Sequence, residues 1–338
     1  MRQRVVTSLL ACLGTIGMLV ALAPAAGLFT TKSFTLVSQH IIYRADGVTK
    51  VSEASDMTYN TRTGELVVME QLNRMIFIDP LTAETTHEVT ITAPPNNDWE
   101  GLGYQGDDGV NDYYAAAFEG SATVYWITVP FGATSIAPPT DSYRIFRVDS
   151  APAWVSATSY AVNSFIQLSG DPLRILRCVT AGTSGTTEPV WPAGNTVIDG
   201  TVTWTKGYDA GIEALCVNPT DVTDSRCFRY DIGGLKSYRI MQLPSHSQQT
   251  LFFNKTPTNV RAATWNEWTN TIIVCSSNTS NFRLHEISPS TGVILSQSPQ
   301  YLWSSRKFEG VVFTDADNFW VCAEAGGDLD RLFHYRAQ

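Results

Sequence analysis

Charged residues are scarce in this sequence of 338 residues: they make up 16% of it, against 43% hydrophobic residues. Lys and Arg form no cluster and the formal net charge is −9, so the chain offers no surface suited to the phosphates of a nucleic acid. Turn-forming and aromatic residues are abundant instead, with 24 Gly, 16 Pro, 15 Phe, 13 Tyr and 9 Trp. This balance favours an all-β protein with many tight turns.

The motifs of several well-known sites are also missing. The six cysteines form no Cys-x-x-Cys pair and have no zinc-finger spacing to histidine, which excludes a structural zinc site of that kind. No Gly-x-Ser-x-Gly, His-Glu-x-x-His or P-loop occurs. Cys227, Cys275 and Cys322 lie in strand-like runs, so we expect buried free thiols, with disulfides as the alternative.

The N-terminus carries a long uncharged run. Arg2 and Arg4 open it, and no charge follows from Val5 to Phe29. Together with Ala23-Pro24-Ala25, this is the pattern of a secretory signal, although the run is also long enough to span a bilayer. We predict that residues 1–30 are an export signal or a retained segment, which would attach the protein to a membrane or particle through residues 5–29.

Five segments align on one pattern at intervals of roughly fifty residues, with one longer interval. Each has a short apolar strand opened by an acidic residue followed by a small one, then two further strands after turns. The segments begin at Glu53 ("EASDMTYN"), Glu100 ("EGLGYQGD"), Glu213 ("EALCVNP"), Ala262 ("AATWNEW") and Glu309 ("EGVVFTD"). A linking run such as "THEVTIT", residues 86–92, adds a fourth strand, and four short strands at this period are typical of a β-propeller blade.

A single blade must bury both of its faces against neighbours, so the blades have to close into a ring. The last repeat ends after its third strand, whereas a strand-like run at residues 33–46 precedes the first repeat. We predict that this N-terminal run completes the last blade. The sequence thus predicts an all-β propeller of five blades, or of six if residues 33–46 belong to a further blade.

The repeats resemble a known family in "SEASDMTYNTRTGELVVMEQ", "NDWEGLGY", "AGIEALCVNP" and "KFEGVVFTDADNFWVCAE". These segments are similar to the SdiA-regulated (YjiK-like) β-propellers, which are related in pattern to phytase-like calcium propellers. The resemblance implies that a glutamate opens the innermost strand of each blade and that a second acidic residue often ends the next strand. The fourth repeat departs from this pattern, with Ala262 where the glutamate is expected.

If every first strand lines the central channel, the glutamates that open these strands converge near its axis, and those that end second strands lie around one mouth. The predicted carboxylates are Glu53, Glu100, Glu213, Glu309, Glu70, Glu119 and Glu324. Carboxylates this close together cannot all stay ionised unless a cation binds; without one, some have raised pKa values and keep a proton. Ca²⁺ suits oxygen ligands. The alternative is that each glutamate caps backbone amides of its own blade.

The long interval holds a different unit, at residues 152–207. It resembles a short module common in phage virion proteins, especially tail and fibre proteins. The matching residues are Tyr160, Arg177-Cys178, 181–185, Glu188-Pro189, Trp191-Pro192, 199–202 and Trp204. We expect the module to follow the third strand, "SYRIFRVDS", on an outer edge of the ring, where added chain disturbs packing least.

Aromatic residues of the module are candidates for ligand binding, because flat aromatic faces suit sugar rings. They are Trp154, Tyr160, Trp191 and Trp204. The alternative is that the tryptophans form the module's own core, which a unit of roughly fifty residues needs.

The sequence therefore predicts a phage virion structural protein of the tail or particle surface, which contacts other virion proteins and recognises a glycan or another envelope component of the host. The predicted parts are the segment 1–30, the propeller at 31–151 and 208–338, and the module at 152–207. An exported calcium-binding propeller of the bacterial envelope is the alternative. A metal-dependent phosphoesterase or lactonase comes third, because the five histidines are scattered and none neighbours an acidic-glycine step.

Overall fold

The computed structural model describes most of the chain from residue 27 onward. The described residues are 27–93, 98–119, 122–145, 151–169, 171–190, 192–206, 212–231, 234–241, 246–252, 259–278, 281–302, 307–324 and 330–338. Residues 1–26, with Cys12 and most of the predicted attachment segment, lie outside them, as does Trp191.

One short helix and 28 strands occur in this part of the chain. Before the module these are α1 (Leu28–Thr31), β1 (Phe34–Ile41), β2 (Ala54–Asn60), β3 (Glu65–Glu70), β4 (Arg74–Ile78), β5 (Thr85–Ile91), β6 (Trp99–Asp107), β7 (Asn111–Phe118), β8 (Thr123–Pro130), β9 (Ser135–Ile136) and β10 (Asp141–Arg144). The module contains β11 (Ser159–Tyr160), β12 (Phe165–Leu168), β13 (Asp171–Thr180), β14 (Gly182–Thr183), β15 (Thr196–Asp199) and β16 (Val202–Lys206).

The strands after the module complete the chain. They are β17 (Ile212–Asn218), β18 (Asp221–Asp231), β19 (Gly234–Met241), β20 (Ser247–Phe252), β21 (Val260–Asn266), β22 (Thr271–Asn278), β23 (Asn281–Ile287), β24 (Ile294–Gln297), β25 (Tyr301–Leu302), β26 (Lys307–Phe313), β27 (Asn318–Glu324) and β28 (Arg331–Ala337).

Apart from the short β9, which pairs parallel with β5, the propeller strands form antiparallel sheets in which consecutive strands are neighbours. Within the described residues there are five such sheets: I (β2-β3-β4-β5, extended by β9), II (β6-β7-β8-β10), III (β17-β18-β19-β20), IV (β21-β22-β23-β24, with β25 also on β23) and V (β26-β27-β28-β1). The five strands that begin these sheets, here called the first strands, contact one another in a closed cycle of β2, β6, β17, β21 and β26. The sheets therefore surround a central channel lined by the first strands, and the predicted all-β propeller is confirmed; its blade number stays a prediction.

Each sheet is buried on both faces, which explains the continuous apolar runs of its strands. In β3, Val67 and Met69 pack in the cluster shared with sheet II, whereas Leu66 and Val68 pack in the cluster shared with sheet V. Apolar clusters also join sheets II and III, III and IV, and IV and V. The core is thus a ring of contacts between neighbouring sheets.

The N-terminal strand closes this ring, as predicted. β1 pairs antiparallel with β28 from Phe34–Ala337 to Ile41–Arg331, which makes β1 the outermost strand of sheet V. Just before it, α1 packs on sheet IV, where the Leu28 amide donates a hydrogen bond to Glu286 Oε2 (2.5 Å). Leu28 and Phe29 are buried in the cluster between sheets IV and V. The end of the predicted attachment segment therefore belongs to the core of the propeller.

The module leaves the ring from its outer edge. The strand expected to be the third of its blade, within "SYRIFRVDS", is instead β10, the fourth and outermost strand of sheet II, and the chain returns to the ring at the first strand β17. Between them the module forms its own sheet, β12-β13-β16-β15, and a small pair of β11 with β14. The described cysteines of both parts are free and buried: Cys178, Cys216, Cys227, Cys275 and Cys322.

Candidate functional site

A β-bulge occurs at the same place near the start of each described first strand. In β6, Trp99 pairs with Phe118 and Gly101 with Ala117, so Glu100 has no partner in the ladder. The residues left out in this way in the five first strands are Ser55, Glu100, Glu213, Arg261 and Glu309. A bulge changes the direction of the side chain of its extra residue. Since the same bulge occurs at the same place in all five strands, these five positions are equivalent and lie around one mouth of the channel.

In four of the five first strands a small residue follows the bulge, because the first strands lie very close together; in β2 the residue there is Asp56. A Cβ added to Gly101 would come within 2.6 Å of Leu215 Cβ on β17. A Cβ on Gly310 would lie 2.8 Å from the Met57 amide nitrogen on β2. The Glu-Gly step in the sequence therefore combines two requirements: the glutamate faces the mouth, and the glycine allows the neighbouring strand to approach.

This register corrects the prediction in two repeats. Glu53 does not open β2: it is exposed, has a φ of 60° and precedes the strand, and Ser55 takes the bulge position. In the fourth repeat the equivalent of the glutamates is Arg261, whereas Ala262 corresponds to the small residue of the other repeats. The ring of equivalent positions thus contains three glutamates, one serine and one arginine.

The three bulge glutamates act on one another electrostatically. Burial, followed by the charges of neighbouring carboxylates, raises the pKa of Glu100 from 4.5 to about 10. Those carboxylates are, in decreasing order of effect, Glu309, Glu119, Glu213 and Asp98. Burial also raises the pKa of Glu309 to about 7, an increase that Arg261 and Lys307 oppose. Glu100, Glu213, Glu309 and Glu119 therefore lie close enough to influence one another's ionisation, and their role as metal ligands stays a prediction.

Within this group, Asp98, Glu100 and Glu119 offer one carboxylate oxygen each, and these oxygens all lie within 4.8 Å of one another. Glu309 is 4% exposed, and its Oε2 has no hydrogen-bond partner among the described residues. An all-oxygen set of half-buried carboxylates suits a hard cation such as Ca²⁺. We call this end of the channel the acidic mouth: Asp98, Glu100, Glu119, Glu213, Arg261 and Glu309.

Arg261 supplies positive charge inside the acidic mouth. Its Nη1 lies 3.5 Å from Glu213 Oε2. Burial alone would lower the pKa of Arg261, but the surrounding carboxylates, Glu309 first, raise it above its usual value. The guanidinium therefore neutralises part of the carboxylate charge and competes with an added cation on the side of Glu213 and Glu309.

The remaining two predicted carboxylates have basic partners of their own. Glu70 is fully buried and accepts a hydrogen bond from Arg44 Nη2 (2.9 Å) and another from the Ser52 amide (3.2 Å). Glu324 Oε2 lies 3.5 Å from Lys307 Nζ. Glu70 thus matches the alternative in which a glutamate accepts hydrogen bonds from backbone amides near its own blade.

The aromatic residues predicted as ligand contacts lie largely in the core of the module. Trp204 is fully buried, so its ring has no face to offer a ligand, which corrects that prediction. Trp154 Nε1 and Trp204 Nε1 both donate hydrogen bonds to Asp199 Oδ2, at 2.8 and 3.1 Å. Tyr160 packs edge-on against Trp204 and accepts a hydrogen bond from the Val155 amide (2.9 Å).

Sequence reasoning missed Asp98 and Arg261. Asp98 stands two residues before Glu100, in "NDWEG", a spacing that in an extended chain places both side chains on one side. Arg261 directly precedes the small residue, as each bulge glutamate does, so aligning the repeats on the small residue would have revealed it.

Comparisons with known proteins add little beyond the fold. No protein-family model matches the sequence, and no curated protein matches it. A glutaminyl cyclase from Myxococcus xanthus is similar in structure, with 10% identity, a TM-score of 0.46, and 91% of this chain and 97% of that chain covered. A luciferin-regenerating enzyme has 13% identity and a TM-score of 0.40, with 88% and 95% covered.

A third structure is the β-propeller domain of Cps50 (Swd1) from Myceliophteria thermophila, with 8% identity, a TM-score of 0.38, and 81% of this chain and 65% of that chain covered. Identities and TM-scores this low carry no inference about activity or ligands. Within the part of the chain that the structure describes, no helix has the length and apolar character needed to cross a membrane.

Proposed function

We propose that the chain is a structural protein of a phage particle that takes part in recognition of the host surface, and that its propeller holds Ca²⁺ at the acidic mouth. The observation that carries the calcium part is the approach of Asp98, Glu100 and Glu119, whose oxygens lie within 4.8 Å of one another. The virion part rests on the sequence resemblance of the inserted module. No role for nucleic acid is proposed.

Asp98, Glu100 and Glu119 would hold the cation. A divalent ion would stabilise the ionised form of Glu100, whose proton is otherwise retained because of burial and like charge. Glu309, with its unpaired buried oxygen, would add negative charge on the inner side. A bound ion would thereby fix the positions of β6 and the end of β7, which belong to the sheet that carries the module.

The module supports a display role by its position. It has its own apolar cluster, which includes Ile166, Leu176 and Trp204. It follows β10, the outermost strand of sheet II, in the chain and is not inserted in a strand that lines the channel. Such a unit can be presented at the periphery without changing the packing between sheets. In this proposal, other virion proteins and a host glycan or envelope component are the partners.

An exported calcium-binding propeller of the bacterial envelope is the second candidate. The observation that favours it is the basic start followed by the uncharged run from Val5 to Phe29. Both candidates share the calcium site and differ in where the protein is found.

Mass spectrometry of purified virions distinguishes the two locations. We expect abundant peptides of this chain in the particles; absence from particles together with presence in the host envelope would replace the virion proposal by the second candidate.

Isothermal titration calorimetry with CaCl₂ on the full chain tests the metal. We expect binding that Glu100→Gln abolishes and that Glu84→Gln, at an exposed glutamate on a turn of sheet I, leaves unchanged. Equal binding by both variants, or none by the unmodified protein, would overturn the calcium site.

A further inference from the structure

A cavity of about 220 Å³ lies at the other end of the channel, where the first strands finish. All five first strands contribute to its wall, through Tyr59, Tyr104, Val217, Trp265 and Phe313. The turn after β21 adds Trp268. We call this end the aromatic mouth. The cavity is smaller than the range of about 300–1,000 Å³ common for drug-sized ligands, so it suits a ligand of about one ring.

The cavity offers aromatic surface together with unused polar groups. The Trp268 side chain is unusually accessible for a tryptophan, since the residue is 43% exposed. In the described part of the chain, neither its indole N–H nor the Tyr59 hydroxyl makes a hydrogen bond. An aromatic face beside free donors and acceptors is the combination that binds an amphipathic ring, because the face covers the C–H groups while the donors reach hydroxyls.

The wall of the cavity is held in place by its own contacts. Trp265 Nε1 donates a hydrogen bond to Asn270 Oδ1 (3.2 Å). Gln105 Nε2 donates to the Val222 carbonyl (2.7 Å), and the Tyr104 amide donates to Thr58 Oγ1 (3.1 Å). These contacts fix the aromatic mouth before a ligand arrives, which lowers the entropy cost of binding.

The charge around the cavity selects against anions. Glu267 lines it and is exposed. Burial, and then the charges of Asp315 and Glu267, raise the pKa of Tyr59 above its usual value, which shows that its surroundings are negative. The chain as a whole carries a net charge of −9. A phosphorylated or carboxylated ligand would therefore be repelled.

We propose that the aromatic mouth binds a single neutral pyranose ring, with Trp268 stacking on the sugar and the Tyr59 hydroxyl bonding to one of its hydroxyls. This inference does not depend on the module or on calcium. It places sugar binding on the propeller itself, on the opposite end of the channel from the acidic mouth.

The experiment uses the full chain and four neutral probes: the methyl pyranosides of glucose, galactose, mannose and N-acetylglucosamine. Binding is measured by saturation-transfer difference NMR and calorimetry. We expect at least one probe to bind with a Kd of about 1 mM, as is usual for a single small ring. Trp268→Ala should weaken that binding about tenfold or more, and Tyr59→Phe less, because the ring remains.

Trp154→Ala, in the module, is the matched control and should leave the binding unchanged. Melting temperature and circular dichroism verify that each variant is folded. Failure of all four probes to bind, equal binding by Trp268→Ala, or preferential binding of glucose 6-phosphate would each overturn the proposal. Loss in Trp154→Ala alone would move sugar binding to the module. None of these results alters the virion and calcium tests, so the two proposals fail separately.

Discussion

The two mouths of the channel are built by the same five strands and have opposite chemistry. At the acidic mouth, bulges turn Glu100, Glu213 and Glu309 towards the axis. At the aromatic mouth, the other ends of these strands place uncharged rings such as Tyr59 and Trp265 around a cavity. The difference teaches that the same five strands can gather half-buried carboxylates at one end of a channel and aromatic rings at the other.

The contact that both mouths share is the close approach of the first strands, so its loss gives the largest expected effect. Gly310→Ala would place a Cβ 2.5 Å from Cys322 Sγ and 2.8 Å from the Met57 nitrogen. We expect a loss of about 1–3 kcal/mol in the free energy of unfolding, measured by urea denaturation. Gly194→Ala, where a Cβ meets nothing within 4 Å, is the control. Equal stability of the two variants would contradict the account of the Glu-Gly step.

The next largest effect is the pH dependence of stability without divalent cations. The folded chain keeps a proton on Glu100 up to about pH 10, whereas an unfolded chain loses it near 4.5. Between these values the folded state binds more protons, so stability falls as pH rises. Glu309 adds to this fall only up to about pH 7.

Thermal unfolding from pH 5 to 9, in EDTA and then in CaCl₂, measures this dependence. We expect a falling melting temperature in EDTA, a smaller fall with Ca²⁺, and a smaller fall in Glu100→Gln. Two results together would contradict this account: a melting temperature that rises with pH in EDTA, and the same pH dependence in Glu100→Gln. They would show that the acidic mouth does not cause the pH dependence of stability.

Replacement of Arg261, the positively charged side chain inside the acidic mouth, sharpens the comparison further. Arg261→Glu replaces a guanidinium 3.5 Å from Glu213 by a fourth bulge carboxylate. We expect Ca²⁺ affinity to increase about tenfold in calorimetry, and the metal-free variant to be less stable at pH 8. Lys50→Gln, at an exposed lysine, removes the same type of charge elsewhere and should change neither value. An unchanged Ca²⁺ affinity in Arg261→Glu would show that Arg261 does not influence the cation site.

The smallest expected effect is that of Trp268→Ala on the acidic mouth. Because Trp268 is 43% exposed, its removal should change the free energy of unfolding by no more than about 0.5 kcal/mol and leave Ca²⁺ affinity as it was. Urea denaturation and calorimetry on the same sample provide both values. A clear change in Ca²⁺ affinity would mean that the two mouths are coupled.

Much of the fold could be predicted from the sequence, because the repeated pattern of apolar runs and turns indicates where the strands lie. The period located the first strands, and the missing fourth strand of the last repeat predicted the pairing of β1 with β28. The site was predicted less well, since a bulge leaves no mark in the spacing of apolar residues and the repeats could be aligned only on their glutamates. Where the bulge residue is not a glutamate, the alignment failed, and Glu53 and Ala262 were placed at the positions that Ser55 and Arg261 occupy.

The aromatic mouth was not predicted at all, for a different physical reason. Tyr59, Tyr104 and Trp265 stand at strand ends in the same pattern as buried aromatic residues, and only the three-dimensional course of five separate strands makes them neighbours. In the module the opposite error occurred. Trp204 was considered for ligand binding, whereas a small unit needs its largest side chain inside, and Trp204 is fully buried.

The pairing of β1 with β28 has a consequence for how the protein is made. Among the described strands β1 is synthesised first, yet its partner β28 is synthesised after all the others. Until β28 has been made, β1 has an unpaired edge and sheet V is incomplete. Sheets I to IV can form before β28 is made, but closure of the ring has to wait for β28, and any chain that stops short of it exposes a strand edge open to association with other chains.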